Sequence, residues 1–587
     1  MSRFFQILLP GKGYLPTWMR PIVNQWPLML AYIILIGWSS LTSHPFYRWF
    51  LIFLHAYLVA WLVQLFHSKV VKGMVYLLLF VFFLTELILS SCFLMTISPT
   101  VLTLVGETNA RESAEFFQSV FAHPKFASVV GIAALMLVLT VLAEWKRTVV
   151  VKLLSRRPVV RGLAVVSALL LVGGFLFSYC YITLTRCQTM AEIEEWQSHR
   201  RHPADAVTKL YSSLLCVHRT GREMEMFIEQ VRQVKAVPQA DADSVNVVFV
   251  IGESYIKKHT PLYGYPLQTT PFLSAEQKAG RLFAFTDVVA PYNQTSRVVR
   301  NLFSCNSLGD HESWSSKPPL TAVFKKNGFY VTMYDNQKAF GVSDWFAFSL
   351  NTYLYDPSLL DSCYHEMNDS SYFYDEGLID AFMRKPRKAH PCRLAIFHLM
   401  GQHVMPHERY PHSGTVNYHR FTADSIRRFR HESWLTDKMY EMIAEYDNAT
   451  LYNDEVMRRI IGLYDNENTV VVYLSDHGEE VYDYRARYGR ASWDLDGDYR
   501  QTLEWQYCVP LMVWCSDKYQ KCHPKVMDMI RHSLNKPLML DNTCHLLFHL
   551  AGINTPYYIK ERDVLSPDYH CPPRLVNDKI DLSAYFH

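Results

Sequence analysis

The sequence predicts an α-helical membrane domain of five spans, followed by an α/β soluble domain whose mostly parallel sheet is sandwiched by helices. Three observations carry this. Five long apolar stretches crowd into the first 185 or so positions of the 587-residue chain. A charged, irregular segment follows them. Beyond it, short β-branched runs alternate with helix-period patterns, which is the pattern of a sheet with helices on both faces.

The stretches are Pro21–Leu41, Trp49–Leu65, Met74–Ile97, Ala127–Leu142 and Leu163–Ile182. Each is near the roughly 20 residues that a helix needs to cross a hydrocarbon core. The second is interrupted by His55 and Gln64. The first starts late and others follow at once, which argues against a cleaved leader. Orientation follows from the short basic loops. Arg3, Lys12 and Arg20 precede the first stretch. Lys69 and Lys72 separate the second from the third. Lys146, Arg147, Lys152, Arg156, Arg157 and Arg161 separate the fourth from the fifth. With five spans, all three basic segments share one side, the cytoplasm, and the rest of the chain lies outside it. The expected division is therefore a transmembrane domain at 1–183 with an extracytoplasmic loop at 98–126, an interfacial helical linker at 184–243, and an extracytoplasmic domain at 244–587. The loop carries Glu107, Glu112 and Glu115 near helical spacing, either a solvated helix face or a polar platform for a lipid headgroup.

Charge excludes one class of partner. The formal net charge of +3 is too small for the concentrated basic face with which a protein displaces counterions from nucleic acid. An oxidising compartment would allow disulfides among the cysteines beyond the spans, and Cys515 and Cys522 are near enough in sequence to pair. No CxxC pair is found there, so a zinc knuckle is not expected.

In the soluble domain, Asn246–Ile251, Tyr330–Met333, Leu394–Phe397, Thr469–Leu474 and Pro510–Trp514 read as buried strands, and Asp447–Leu463 as a helix. Ligands of such sheets bind beyond the carboxyl ends of the strands. Those ends carry Gly252-Glu253-Ser254, Asp335-Asn336-Gln337-Lys338, His398 through His403, and Asp476-His477-Gly478-Glu479-Glu480. Carboxylates with imidazole form a donor set suited to zinc. Thr295 and Ser296 precede the helix-period run Val298, Val299, Leu302, Phe303. A hydroxyl there is either an N-cap or a nucleophile favoured by the helix end and a nearby metal.

The ordered set GES, YNQTS, DNQK, HLMGQH, YDNATLYND and SDHGEEVYD, with the five spans and an ETN-containing loop between spans three and four, resembles the membrane phosphoethanolamine transferases, of lipid A and lipopolysaccharide-core type, in the alkaline phosphatase and sulfatase superfamily. The resemblance implies an alkaline phosphatase/sulfatase-like soluble fold and zinc held by Glu253, Thr295, Asp476 and His477. Thr295 would be the nucleophile. Thr108 and Glu112 would contact the donor headgroup, and Asn336, Lys338, His403 and Glu479 would line the substrate side. It further implies a two-step transfer of phosphoethanolamine from phosphatidylethanolamine through a covalent threonine adduct. The acceptor would be lipid A, lipopolysaccharide core or another envelope glycan, and the setting a Gram-negative inner membrane with the catalytic domain in the periplasm. One departure is visible. Lipid A-modifying members carry a further histidine soon after the Asp-His-Gly-Glu motif, and here none occurs between His477 and His523. That weighs against lipid A as the acceptor. Three alternatives stand beside this reading. A phosphoglycerol transferase resembling lipoteichoic acid synthases shares the plan. A non-catalytic binding protein could use the same fold. A secreted-type sulfatase would need a CxPxR sequence, whereas Cys305 is followed by Asn306-Ser307-Leu308-Gly309.

Overall fold

The computed structural model describes residues 17–38, 48–66, 68–93, 97, 101–102, 105, 110–154, 157–176, 210, 214, 225–235, 244–310, 312–337, 354–414, 416–490, 499–577 and 580–582. The chain divides into two compact units, Met1–Val105 with Phe116–Thr220, and Gly106–Glu115 with Gly221–His587.

The first unit is helical. Its main helices are α1 (Trp26–Gly37), α2 (Arg48–Phe66), α3 (Lys69–Cys92), α5 (Phe126–Trp145) and α6 (Arg157–Phe175), together with the later part of α4 (Ala110–Ala122), whose residues up to Glu115 are counted with the second unit. Among the described residues, three helices are long and apolar enough to cross a membrane: Trp49–Phe66, Lys69–Cys92 and Phe126–Trp145. The described residues therefore account for three of the five expected spans, or four with the bent pair that follows. The first stretch is broken, with Thr17–Asn24 and Trp26–Gly37 meeting at 69°, and it makes a fourth span only if the bent pair is counted as one. The break falls at Gln25, just before Pro27, where proline cannot supply the N–H a continuous helix would use. The fifth stretch is seen as the shorter apolar run Gly162–Phe175; its continuation lies outside the described residues. Leu77, Leu78, Leu135 and Val141 point outward, as side chains facing lipid do.

Polar contacts gather at one end of this unit. Lys72 Nζ pairs with Glu144 Oε1 at 2.5 Å, and Tyr76 donates to Glu144 Oε2 at 3.0 Å. Arg147 Nε donates to the Asn24 carbonyl at 2.7 Å, and Trp26 Nε1 donates to the Arg147 carbonyl. Lys72 and Arg147, far apart in sequence, thus meet around Glu144, and Arg147 also reaches the turn at Asn24.

The second unit is built on a seven-stranded sheet. Its strands are β1 (Asn246–Gly252), β2 (Leu282–Phe285), β4 (Tyr330–Asp335), β5 (Glu366–Met367), β6 (Arg393–His398), β7 (Thr469–Ser475) and β8 (Leu511–Cys515), in the order β2-β8-β7-β1-β6-β4-β5. Two short strands, β3 (Val288–Val289) and β9 (Leu538–Met539), pair separately. Pairing is parallel from β5 to β7. β8 runs antiparallel to both of its neighbours, so the sheet is mixed. Successive strand residues face opposite ways. Val247, Phe249 and Ile251 join one buried cluster with Leu302 of helix α7 (Thr295–Phe303) and Leu547 of a carboxyl-terminal helix. Val248 and Val250 join the other, with Val456 and Ile460 of the long helix α8 (Asp437–Gly462). Both faces being covered, the strands read as unbroken apolar runs. Cys515 is buried in β8, and Cys522 is exposed at the end of the next helix; both are free thiols.

Candidate active site

The carboxyl ends of β1 and β7 lie side by side, with Gly252 opposite Ser475. This register brings the next residues of each strand, Glu253 and Asp476-His477, to one point. Crowding fixes the two turns. A Cβ on Gly478 would lie 2.0 Å from the Trp505 carbonyl oxygen. Gly401 has φ +49° and would place a Cβ 2.9 Å from the Glu253 backbone. Only glycine fits a positive φ with backbone so near.

Glu253, Asp476 and His477 are fully buried, and one donor atom from each lies within 4.8 Å of the others. His477 Nε2 is 3.0 Å from Asp476 Oδ2 and 3.3 Å from Glu253 Oε1. His477 Nδ1 donates to the Gly478 carbonyl at 2.8 Å, which turns Nε2 toward the carboxylates, the orientation of a metal-ligating imidazole. Asp476 Oδ1 accepts from the backbone N–H of Ser254 and of His477. Asp476 Oδ2 is buried facing His477 Nε2, an arrangement that is costly unless positive charge, a proton on the imidazole or a cation, sits between them.

Thr295 closes the cluster. It is the first residue of α7, and Gln294 before it makes no side-chain cap, so the helix end keeps uncapped N–H groups. Thr295 Oγ1 donates to Glu253 Oε2 at 2.9 Å and lies 3.1 Å from His477 Nε2. Its residue is partly exposed, whereas Ser296 is buried. Two carboxylates, one imidazole and one hydroxyl converge from three elements, and this donor set fits zinc.

Burial opposes charge in this cluster, and the charges then sort themselves. Burial raises the Asp476 carboxyl above the usual range, and repulsion from Glu253 adds to this. Burial would also raise Glu253, but the charge and hydrogen bond of His477 outweigh it and hold Glu253 well below the carboxylate range. Burial and the neighbouring Arg490 push His477 down, yet Asp476 and Glu253 prevail and bring it up to about 9. The acidic pair thus draws a positive charge to the imidazole, where a divalent cation would replace the proton.

Around the centre, Gln337 Nε2 donates to Glu253 Oε2 at 3.2 Å and to the Leu399 carbonyl at 2.7 Å. The Arg490 guanidinium lies against His477 Nε2, donates to the Asn293 carbonyl at 2.9 Å, and pairs with Glu479 at 3.4 Å. Glu479 is buried, and burial raises its carboxyl. Gln506, the last residue of the helix Tyr499–Gln506, ties two loops together: it accepts from Asn293 Nδ2 and from the Gly478 N–H, and it donates to Glu480.

Asn336 is buried, donating to Asp375 Oδ1 at 2.8 Å and accepting from the Tyr372 N–H at 2.6 Å. Both ends of its amide are thus engaged within the protein. Asp375 also accepts from the Met400 and Gly401 N–H groups, so this network holds the 398–403 turn. His403 is half-buried near Glu253, and desolvation pushes it down to about 3. It is a neutral imidazole at physiological pH rather than a cationic clamp. Glu112 lies on α4. Thr108 and Lys338 lie outside the described residues. Sequence reasoning passes over Gln337 and Arg490. Gln337 stands within the DNQK motif after β4, whereas Arg490 follows His477 by thirteen positions with no local pattern to mark it.

The Sulfatase family pattern matches residues 245–553, more than half of the 587 residues. The chain belongs to the sulfatase family. Several proteins similar to it along the chain are phosphoethanolamine transferases. Phosphoethanolamine transferase EptC of Escherichia coli (strain K12) is 25% identical over 546 residues, covering 89% of this chain and 88% of the relative. Kdo(2)-lipid A phosphoethanolamine 7''-transferase of Salmonella typhimurium is 26% identical over 309 residues, covering 52% of this chain and 50% of the relative. The solved structure of the integral membrane protein lipooligosaccharide phosphoethanolamine transferase A (EptA) from Neisseria meningitidis shares the fold. Its TM-score is 0.55 at 17% identity, with 93% of this chain and 97% of that one covered. In this sulfatase-family member, a threonine stands beside the carboxylates and imidazole.

Proposed function

We propose that this chain transfers phosphoethanolamine from phosphatidylethanolamine to an envelope glycolipid, with the lipopolysaccharide core favoured over lipid A, through a covalent adduct on Thr295. The observation that carries the reading is the Thr295 hydroxyl, partly open to solvent and within 3.1 Å of both Glu253 and His477. The full-length relatives supply the reaction class.

Glu253, Thr295, Asp476 and His477 would hold one zinc ion. The chemistry it supplies is positive charge beside a hydroxyl and beside phosphoryl oxygens. The remaining work falls to the chain. Glu253 Oε2 accepts the Thr295 hydrogen bond, which aims a lone pair of Oγ1 away from the protein. Uncapped N–H groups at the start of α7 favour negative charge at the same point. Oγ1 attacks phosphorus as the bond to the diacylglycerol oxygen breaks, and that oxygen leaves with the threonine proton. In the second step an acceptor hydroxyl attacks the same phosphorus. The P–Oγ1 bond breaks, and the acceptor's proton returns to Thr295. Arg490 is placed to neutralise phosphoryl charge. Lys338 and His403 belong to the same proposed substrate side, His403 as a neutral hydrogen-bonding group. Thr108 and Glu112 would meet the donor headgroup.

The proposed setting is an inner membrane, with five spans at 1–183, a linker at 184–243 and the catalytic domain at 244–587 in the periplasm. Mass spectrometry of envelope glycolipids from cells with and without the protein tests the function: one phosphoethanolamine on a core sugar should disappear with the protein. Metal analysis tests the site. Asp476→Ala and His477→Ala should each lose most of the bound zinc, and full zinc in both would overturn the ligand assignment.

A further inference from the structure

Beside the catalytic cluster is a cavity of about 390 Å³. Its walls continue the two loops that supply the proposed metal ligands. Lys258 and His259 follow Glu253 on the loop leaving β1, and Asp483 follows His477 on the loop leaving β7. Lys258 is five positions beyond Glu253, at most about 18 Å along the chain.

Four half-buried rings line it: Tyr263, Tyr265, Phe429 and Trp505. They are held in place. Tyr265 stacks on His259 with centroids 4.6 Å apart and donates to Asp447 Oδ2 at 2.8 Å. Phe429 meets Tyr265 edge-on at 5.6 Å. The main chain of Trp505 packs against Gly478. Between the rings stand paired charges. Arg430 donates to Glu432 Oε1 at 2.7 Å and to the carbonyls of Tyr482 and Asp483. Lys258 pairs with Glu504 and lies 4.9 Å from the Trp505 ring centroid. Glu432 Oε2 is buried in the wall without a hydrogen-bond donor.

This chemistry selects a ligand class. The cation-attracting face of Trp505 is already taken by Lys258, and Glu432 is already matched to Arg430, so an added cation gains little. A lipid tail would bury charged groups against hydrocarbon. A neutral sugar ring meets both features. Its C–H faces cover apolar area against the rings, while its hydroxyls meet the exposed part of the Glu432 side chain as donors and Lys258 and Arg430 as acceptors. We infer that this cavity is a subsite for a neutral sugar residue of the acceptor glycan, set back from Thr295 so that a neighbouring sugar presents its hydroxyl to the centre. The inference rests on the glycan-directed transfer proposed above.

The test uses the full chain in detergent, phosphatidylethanolamine as donor, and soluble, unphosphorylated core oligosaccharide released by deacylation as acceptor. Phe429→Ala removes a ring, and Glu432→Gln changes one carboxylate oxygen at constant shape. Both should form the Thr295 adduct at rates within twofold of the unchanged protein, yet show an acceptor KM raised tenfold or more. An unchanged KM in both variants, with transfer intact in the parent, overturns the subsite and leaves the proposed function standing. Absence of the adduct in the parent refutes the function instead. In that event, saturation-transfer NMR of the oligosaccharide on Thr295→Ala protein still decides: ring-proton signals lost on adding Phe429→Ala support the subsite, and signals that persist overturn it. Binding confined to phosphorylated oligosaccharide also overturns the neutral-sugar assignment.

Discussion

The sharpest chemistry rests on single side chains. Thr295 and Ser296 both bear hydroxyls, but only Thr295 reaches Glu253 and His477, and Ser296 is buried. Thr295→Ala should therefore keep its fold, lose the adduct, and lower transfer by about 10³-fold or more. Thr295→Ser should retain part of the activity, because the hydroxyl remains although its rotamer is freer. Mass spectrometry of the digested protein after incubation with phosphatidylethanolamine checks this, and an adduct on Ser296 would contradict it. His259 offers a second test, of stability. Burial alone would lower its pKa, but Asp447 at 2.7 Å and Asp483 at 2.9 Å bring it up to about 9. A folded-state pKa above the unfolded value of about 6.5 adds stability that is complete below that pH and lost as pH rises through 9. Zinc-loaded protein should thus lose up to about 3 kcal/mol between those limits. His259→Gln should flatten that part of a denaturant-midpoint profile against pH; an unaltered slope would rule this role out.

At the scale of elements, the strands are legible in the sequence because a sheet covered on both faces leaves continuous apolar runs. The five strands expected from the sequence appear as β1, β4, β6, β7 and β8, shifted by at most two residues at an end. The long helix is longer than its sequence pattern suggests. It begins at Asp437, ten positions before the expected Asp447. Tyr440, Ile443 and Ala444 pack there on a small separate cluster, a tertiary contact that local periodicity does not display. The reversed direction of β8 is also invisible, since strand composition does not encode polarity. In the site, residues directly after strands can be found from sequence, whereas Arg490 arrives from a more distant loop and Gln506 from the end of the helix Tyr499–Gln506, and neither can. Gly478 shows how tightly one such loop is fitted. An alanine there would drive its Cβ into the Trp505 carbonyl and push the loop that carries His477 away from the helix that ends at Gln506. Overpacking of this kind costs about 1–3 kcal/mol. Gly478→Ala should lower the thermal midpoint and reduce zinc occupancy together, as read by calorimetry and metal analysis. A stable variant with full zinc would show that the loop gives way freely.

For the whole molecule, the question is which side of the membrane each segment occupies. On the proposed orientation the basic segments share one side, and the described helices bring Lys72 and Arg147 near the turn that follows Arg20. Arg147 contacts the turn at Asn24, and Lys72 contacts Glu144. These contacts fix the ends of the helices, not their number, and the described residues supply three candidate spans or four with the bent pair. Parity then matters. With the basic ends in the cytoplasm, α2 and α3 return the chain to the far side, and α5 brings it back to the cytoplasmic Lys146-Arg147 corner. The chain must cross once more, through α6 and the residues after it, for positions from 244 onward to reach the periplasm. The proposal of an external catalytic domain therefore requires the Gly162–Phe175 region to span, although by itself it is shorter than the three candidate spans. Alkaline phosphatase fusions, active only outside the cytoplasm, should be active at His587 and at Phe121, and silent at Lys69 and Lys152. Deleting residues 163–182 should silence the fusion at His587 while leaving that at Phe121 active. Activity at His587 that survives the deletion would mean that the catalytic domain does not owe its placement to a fifth crossing.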